Sequence, residues 1–321
     1  MRVLVAGGAG FIGSHLCREL LSRGHEVTCL DNLITGSSDN IADLQSDRRF
    51  TFVQADVVQA PPFRGELVLH LASPASPVHY QRFPLETMLA NSAGTQRLLE
   101  IAKESGGRFV FASTSEVYGD PLEHPQKESY WGNVNPIGPR ACYDESKRFG
   151  EALTFAYRRV HGVNASIVRI FNTYGPSMNI DDGRMVPAAI SATLAGRPIP
   201  IFGDGKHTRS FCYVSDMVEG LLLVALDRDA DGEVFNIGNP QEITMLEMAR
   251  EVAQVAGSDG RVVHLPRVED DPAHRCPDIR RMRERYGWRP RVGLAEGMNK
   301  TLAYFRSAFA PAGVALRMEG R

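Results

Sequence analysis

Short apolar runs alternate with amphipathic stretches through the first half of this 321-residue chain, and few architectures accept that pattern. The runs at residues 3–6, 26–30, 50–55, 67–71, 109–112 and 167–171 are rich in β-branched residues and bounded by Gly, Asp, Ser or Pro. They read as buried strands. Residues 12–23, 84–103 and 146–160 carry helical patterns between them. Alternation at this spacing predicts an α/β fold, a doubly wound parallel sheet with helices on both faces. From about Gly175 the texture changes, with loops marked by Pro176, Asp181-Asp182-Gly183 and Gly203-Asp204-Gly205. The expected division is a sheet domain over 1–175, a smaller domain over 176–310 that the chain enters across a soft boundary, and a flexible tail over 311–321.

Composition removes several function classes. Lys and Arg number 36 against 38 Asp and Glu, a net charge of −2, so nonspecific binding to nucleic acid or to a membrane surface is not expected. An anion would need a local site. The five cysteines are widely spaced with no C-x-x-C pair, which argues against a disulfide scaffold or a zinc motif, and no metal is expected. No apolar run approaches a membrane span, and the glycine-rich start does not read as a secretory leader. A reducing, cytoplasmic setting is the expectation.

Gly7-Gly8-Ala9-Gly10-Phe11-Ile12-Gly13 follows the first strand and opens the first helix. Gly7, Gly10 and Gly13 permit a tight turn, close backbone approach to a pyrophosphate, and close packing of helix on strand. The helix N-terminus then offers N–H groups to phosphates. This is the pattern of a Rossmann-type dinucleotide-binding domain. Asp31 ends the second strand, where a carboxylate accepts from a ribose 2′-OH and repels a 2′-phosphate, and Asn32 follows with no adjacent arginine. NAD is therefore favoured over NADP. Asp56-Val57 after the third strand is placed to meet an adenine, and His70-Leu71-Ala72-Ser73 to pass the cofactor.

Tyr143 and Lys147 stand four apart, on one helical face if the segment is helical. A lysine ammonium and a positive nicotinamide lower a tyrosine's pKa, making it a base near neutrality. With five lysines in the chain, about 0.14 such pairs are expected by chance. The fifth strand ends in Ser113-Thr114-Ser115-Glu116, whose hydroxyls can meet a substrate oxygen at the sheet's C-terminal edge, with Glu116 a candidate proton donor or acceptor. Arg184, Arg209 and Arg275 lie in loop-like segments and suit phosphate or carboxylate.

Together these motifs resemble the extended short-chain dehydrogenase/reductase family, within it the enzymes of nucleotide sugars, over about residues 1–307. The most specific stretches are His70-Leu-Ala-Ser-Pro-Ala-Ser-Pro77, Ala112-Ser-Thr-Ser-Glu-Val-Tyr-Gly-Asp-Pro121 and Asn135-Pro-Ile-Gly-Pro-Arg-Ala-Cys-Tyr-Asp-Glu145. Ile170-Phe-Asn-Thr-Tyr-Gly-Pro176 and Asp181-Asp-Gly-Arg184 add to them. The resemblance implies that Gly10, Phe11, Ile12, Asp31, Asn32, Thr35, Gly36, Asp56, Val57, Leu71 and Ser73 line an NAD site, with Thr173 and Arg184 on its nicotinamide and phosphate side. It implies that Asn172, Val186, Phe202, Arg209 and Arg275 hold the UDP half of a UDP-sugar. Tyr143 is then the base, Lys147 its activator, Thr114 a hydrogen bond to the sugar O4, Ser115 its neighbour in the catalytic strand end, and Glu116 an aid to ring distortion and protonation.

The implied reaction begins on UDP-glucuronate. Tyr143 takes the C4 hydroxyl proton as NAD⁺ takes two electrons, and the new ketone lies β to the carboxylate, so carbon dioxide departs. Return of the electrons gives UDP-xylose; release before that return gives the 4-keto pentose. The nearest alternative is 4-epimerisation of UDP-glucuronate, whose enzymes usually lack an acid at position 116. A 4,6-dehydratase, expected to carry Asp-Glu where this chain has Ser115-Glu116, and a non-catalytic NAD-binding sensor are more distant. Ser177, Asn179 and Leu89 stand where Arg, His and Lys are usual. A homodimer built on a helix pair is the family expectation.

Overall fold

The computed structural model describes residues 1–272 and 274–309; the expected tail at 311–321 lies outside the described residues. Six strands are laid down first: β1 (Arg2–Ala6), β2 (Glu26–Asp31), β3 (Phe50–Gln54), β4 (Leu67–His70), β5 (Arg108–Thr114) and β6 (Ala165–Ile170). Later come the paired β7 (Thr173–Tyr174) and β10 (Cys212–Tyr213), and β8 (Ile199–Phe202) with β13 (Val262–Leu265). A three-stranded sheet has β9 (Thr208–Ser210) between β12 (Glu242–Thr244) and β14 (His274–Arg275). The main sheet is seven-stranded and parallel throughout, in the order β11-β6-β5-β4-β1-β2-β3, where β11 is Val234–Ile237.

Side chains alternate across this sheet with a period of two. Val3 and Val5 enter one buried layer with Leu16 and Leu20, whereas Leu4 and Ala6 enter the other with Leu98, Phe109 and Phe111. The first layer is covered by α1 (Phe11–Ser22), and the second by α4 (Thr95–Ser105) with α5 (Ala141–His161). Short helices α2 (Pro77–Arg82) and α3 (Pro84–Leu89) lead through a π-helical stretch at Ala90–Gly94 into α4. The expected helix over 84–103 is thus helical throughout with one widened turn. Helices α6 (Met185–Leu194), α7 (Val214–Leu226), α8 (Met245–Ala256), α9 (Arg280–Tyr286) and α10 (Leu294–Phe309) complete the chain. Among the described residues, no helix is long and apolar enough to cross a membrane.

One departure from expectation and one expected feature of the soft boundary matter for the site. Helix α5 starts at Ala141, five residues before the expected 146. The buried face of its first two turns is polar (Tyr143, Asp144, Ser146, Lys147), so hydrophobic periodicity does not announce it. The chain also crosses the expected division near residue 175 more than once. Helix α7 packs against α1, and β11 completes the sheet beside β6.

Register fixes where the chemistry gathers. Ala6 pairs with both Leu30 and His70, and Thr114 pairs with Ile170. Gly7, Asp31, Leu71, Ser115 and Phe171 therefore all emerge at one edge, the carboxyl end of the strands. Strand order reverses between β1 and β4, and that is where open α/β sheets bind ligands.

Candidate active site

A cleft of about 830 Å³ opens along this edge. At one end lies the glycine turn. Gly7 has φ +82°, and a Cβ there would sit 2.6 Å from the backbone of Leu71 and Ala72. A Cβ on Gly13 would strike the Gly7 carbonyl oxygen. Only glycine lets β1, α1 and the end of β4 meet this closely. Gly10 caps α1 without a side chain, so the first-turn N–H groups face the cleft with no side-chain acceptor. That cradle fits a pyrophosphate. Phe11, Ile12, Thr35, Gly36, Leu71 and Ser73 line it with Gly7 and Gly10.

Four residues expected at the cofactor do not line the cleft. Asp31 is buried, its carboxylate accepting from Ala9 N at 3.0 Å and Leu33 N at 2.9 Å, so it braces the glycine turn. Burial raises its pKa, and backbone donors oppose the rise. Asn32 donates to Asp56 at 2.9 Å, and Asp56 also accepts from Val58 N at 2.9 Å. Val57 is buried in the second core layer. Beyond these four, His70, which opens the stretch expected to pass the cofactor, is a core histidine with Nε2 near Ala90 O (3.2 Å) and Thr95 Oγ1 (3.1 Å); burial and the nearby Lys147 lower its pKa to about 3.

Tyr143 and Lys147 do share one face of α5, both buried and both lining the cleft. Thr114 lies beside the Tyr143 phenol and favours its anionic form, and Thr114 Oγ1 accepts from Glu116 N at 3.2 Å. Tyr80 stacks on Tyr143 with ring centres 5.2 Å apart and planes 5° from parallel. Lys147 Nζ donates to Ala112 O at 2.8 Å and lies 5.9 Å from the Tyr143 ring. Burial lowers the lysine to about 7. Burial pushes the phenol well above its usual range, with Thr114 and Arg184 opposing. The sequence points to Lys147 and a positive nicotinamide acidifying Tyr143 together; the burial that brings the two side chains together lowers the lysine and raises the phenol, so the lysine's share of that effect is small.

The far end of the cleft is basic but internally paired. Burial would raise the Glu116 carboxyl, but Arg140 and Arg275, which both donate to it, hold it well below the ordinary carboxylate range. Glu116 is thus an ionised clamp in this state, on the acceptor side of the donor-or-acceptor expectation. Arg209 donates to Asp271 at 2.8 Å, and Arg184 Nε bonds both Asp182 oxygens at 2.8 Å. Asn172, Thr173, Val186, Phe202 and Ser115 line the same cleft. The expected NAD-side and substrate-side residues therefore converge, except for the four noted above.

A model of the NAD dependent epimerase/dehydratase family matches residues 3–238. The chain belongs to that family. Among its curated members, UDP-glucuronic acid decarboxylase 6 of Arabidopsis thaliana is 50% identical over 299 residues, covering 93% of this chain and 87% of that one. UDP-glucuronic acid decarboxylase 1 of Xenopus tropicalis is 48% identical over 305 residues, 95% of this chain and 72% of that one. The solved structure of UDP-glucuronic acid 4-epimerase from Bacillus cereus, in complex with UDP-glucuronic acid and NAD, superposes with a TM-score of 0.87 at 28% identity, over 96% of this chain and all of that one. The family's NAD dependence accords with the unblocked helix terminus and glycine cradle.

Three cleft residues of this family member escaped the sequence reading: Arg140, Tyr80 and Asp271. Arg140 directly precedes the helix carrying Tyr143, in a stretch quoted for its specificity, but no periodic or charge signal sets it apart from 31 arginines. Tyr80 follows a serine-proline run with an N-cap at Ser76, a detectable helix start that says nothing of ring stacking. Asp271 ends the acidic run Glu269-Asp270-Asp271 four residues before Arg275, and only the fold brings it to Arg209.

Proposed function

We propose that this chain is an NAD-dependent UDP-glucuronate decarboxylase, oxidising C4, losing carbon dioxide, and giving UDP-xylose or its 4-keto precursor. The observation that carries the reading is identity near one half to decarboxylases over 93–95% of the chain, against 28% to an epimerase of the same substrate. Bound NAD⁺ supplies a two-electron acceptor for C4 and a positive ring near the phenol, which is what the buried Tyr143 lacks.

The chain's own residues do the rest. Tyr143 Oη receives the C4 hydroxyl proton, and the Thr114 hydroxyl beside it holds O4 in register. Lys147, tied to Ala112 O, fixes the helix face on which the phenol stands and steadies its anionic form when protonated. Once C4 is a ketone, the carboxylate on C5 stands β to it and leaves as carbon dioxide, its bonding pair passing to the ketone oxygen as an enolate that takes a proton at C5 before the two electrons return to C4. Glu116 keeps Arg140 and Arg275 aimed into the cleft, and Arg209 meets the diphosphate by exchanging Asp271 for it. Asp31, Asn32, Asp56 and Val57 act by shaping the cofactor cradle.

Incubating the purified chain with UDP-glucuronate and weighing the product tests the reading. A pentose nucleotide lighter by one carbon dioxide is expected, and a mass-neutral product would give the 4-epimerase reading instead. We also propose a homodimer, because α3 exposes Leu85, Met88 and Leu89 beside α5, which exposes Phe149. Light scattering at twice the 35.4 kDa chain mass checks it. Five free thiols accord with a cytoplasmic setting.

A further inference from the structure

Away from the cleft, three segments distant in sequence converge on one sulfur. Glu242 opens β12, Cys276 follows β14, and His124 lies on the loop between β5 and α5. One ligand atom from each lies within 4.8 Å of the others, and His124 Nε2 is 2.8 Å from Glu242 Oε2. We propose that His124, Glu242 and Cys276 form a binding site for a borderline-soft divalent cation, zinc, with water in the fourth position.

The donor set points to zinc. One imidazole nitrogen, one carboxylate oxygen and one sulfur make a mixed set that zinc accepts, whereas calcium and magnesium need oxygen ligands throughout. Zinc–ligand lengths of about 2.0–2.3 Å put tetrahedral ligand atoms roughly 3.3–3.8 Å apart. Closing from 4.8 Å is a small rotation for His124 and Glu242, whose side chains are 45% and 26% exposed, while Cys276 stays as the buried anchor.

The backbone around the sulfur is already fastened. Gln126 N donates to Cys276 O at 2.9 Å, and Cys276 N donates to Gln126 Oε1 at 2.8 Å, tying the His124 loop to β14. Thr208 Oγ1 donates to Glu242 Oε1 at 2.6 Å, which leaves Oε2 turned toward His124; it also meets His274 Nδ1 at 2.9 Å. Such partners orient metal ligands. The Cys276 thiol donates to Pro240 O at 3.3 Å, and a dication at the sulfur would favour the thiolate in its place. As the S–Zn bond forms, the S–H proton leaves to water, and no electron changes hands. Arg275 lies between His274 and Cys276, so the ion would brace the strand from which Arg275 reaches Glu116.

The test uses the full chain with NAD, stripped with a chelator, desalted, and titrated with zinc chloride. One zinc per chain is expected, with a dissociation constant of about 1 μM or tighter. Cobalt(II) in its place is expected to give a thiolate charge-transfer band that Cys276→Ser abolishes. His124→Gln, a surface change that leaves folding intact, should weaken zinc at least about tenfold. Failure to retain zinc at micromolar concentration, or equal retention by wild type and His124→Gln, overturns the site. Both readouts are independent of turnover.

Discussion

Arg275 donates to Glu116 although 159 positions separate them, and Arg140 donates to the other oxygen of the same carboxylate. Removing that charge leaves two guanidinium groups facing each other in a cleft. Glu116→Gln is expected to lower stability by about 2 kcal/mol, less than a fully buried pair because the side chain is 14% exposed. It should cut carbon dioxide release at least about tenfold with NAD binding unchanged. The folded-state pKa of Glu116 is depressed, so its stabilisation is complete above the ordinary 4.5 and fades as pH falls below it. Urea titrations of both proteins at pH 7 and pH 3 check this; a stability gap that does not narrow in acid contradicts the clamp.

Tyr143→Phe keeps the stack on Tyr80 and removes only the oxygen. Turnover of UDP-glucuronate should fall at least about 10²-fold, the lower range for a positioned base. NAD affinity, followed by cofactor fluorescence, should hold. Near-normal turnover would take the phenol out of the reaction.

Lys147 carries a stability signature of opposite sign to Glu116. Its folded-state pKa is about 7 against an ordinary 10.5, so burial of the ammonium costs stability in full below pH 7, and the cost is relieved as pH rises to 10.5. Lys147→Met should therefore be more stable than wild type at pH 6 by about 2 kcal/mol, after loss of the bond to Ala112 O. The advantage should vanish near pH 10.5, and thermal melts across that range decide. Activity is expected to be lost at every pH.

Gly13→Ala tests the cradle. Its Cβ would press on the Gly7 carbonyl, where backbone meets backbone and no side chain can turn away. The expected cost is about 2 kcal/mol of stability. A tenfold or greater loss of NAD affinity, by calorimetry, should accompany it. Unchanged affinity would mean α1 docks more loosely than described.

The strands were legible because each is a short β-branched run closed by a turn residue: residues 3–6 and 67–71 each differ from the observed strand by a single residue at one end. The glycine turn and the Tyr143–Lys147 pair were legible because spacing alone encodes them. Pairings that need the folded chain were not. Nothing local in Glu116 announces Arg275, and nothing in Asp31 tells whether its oxygens face a ribose or the amides of Ala9 and Leu33. The His124–Glu242–Cys276 cluster is likewise assembled from three separate strand ends and loops, which no spacing rule can read.

Strand β11 has a consequence for how the protein is made. The strands that carry the cofactor cradle leave the ribosome first, yet the neighbour that pairs with the outer edge of β6 is translated only at residues 234–237. Until then a nascent chain bears an open edge of unpaired amides, the kind other chains add to. Cutting at 175 would make that transient hazard permanent, because the strand that closes the sheet lies beyond the cut.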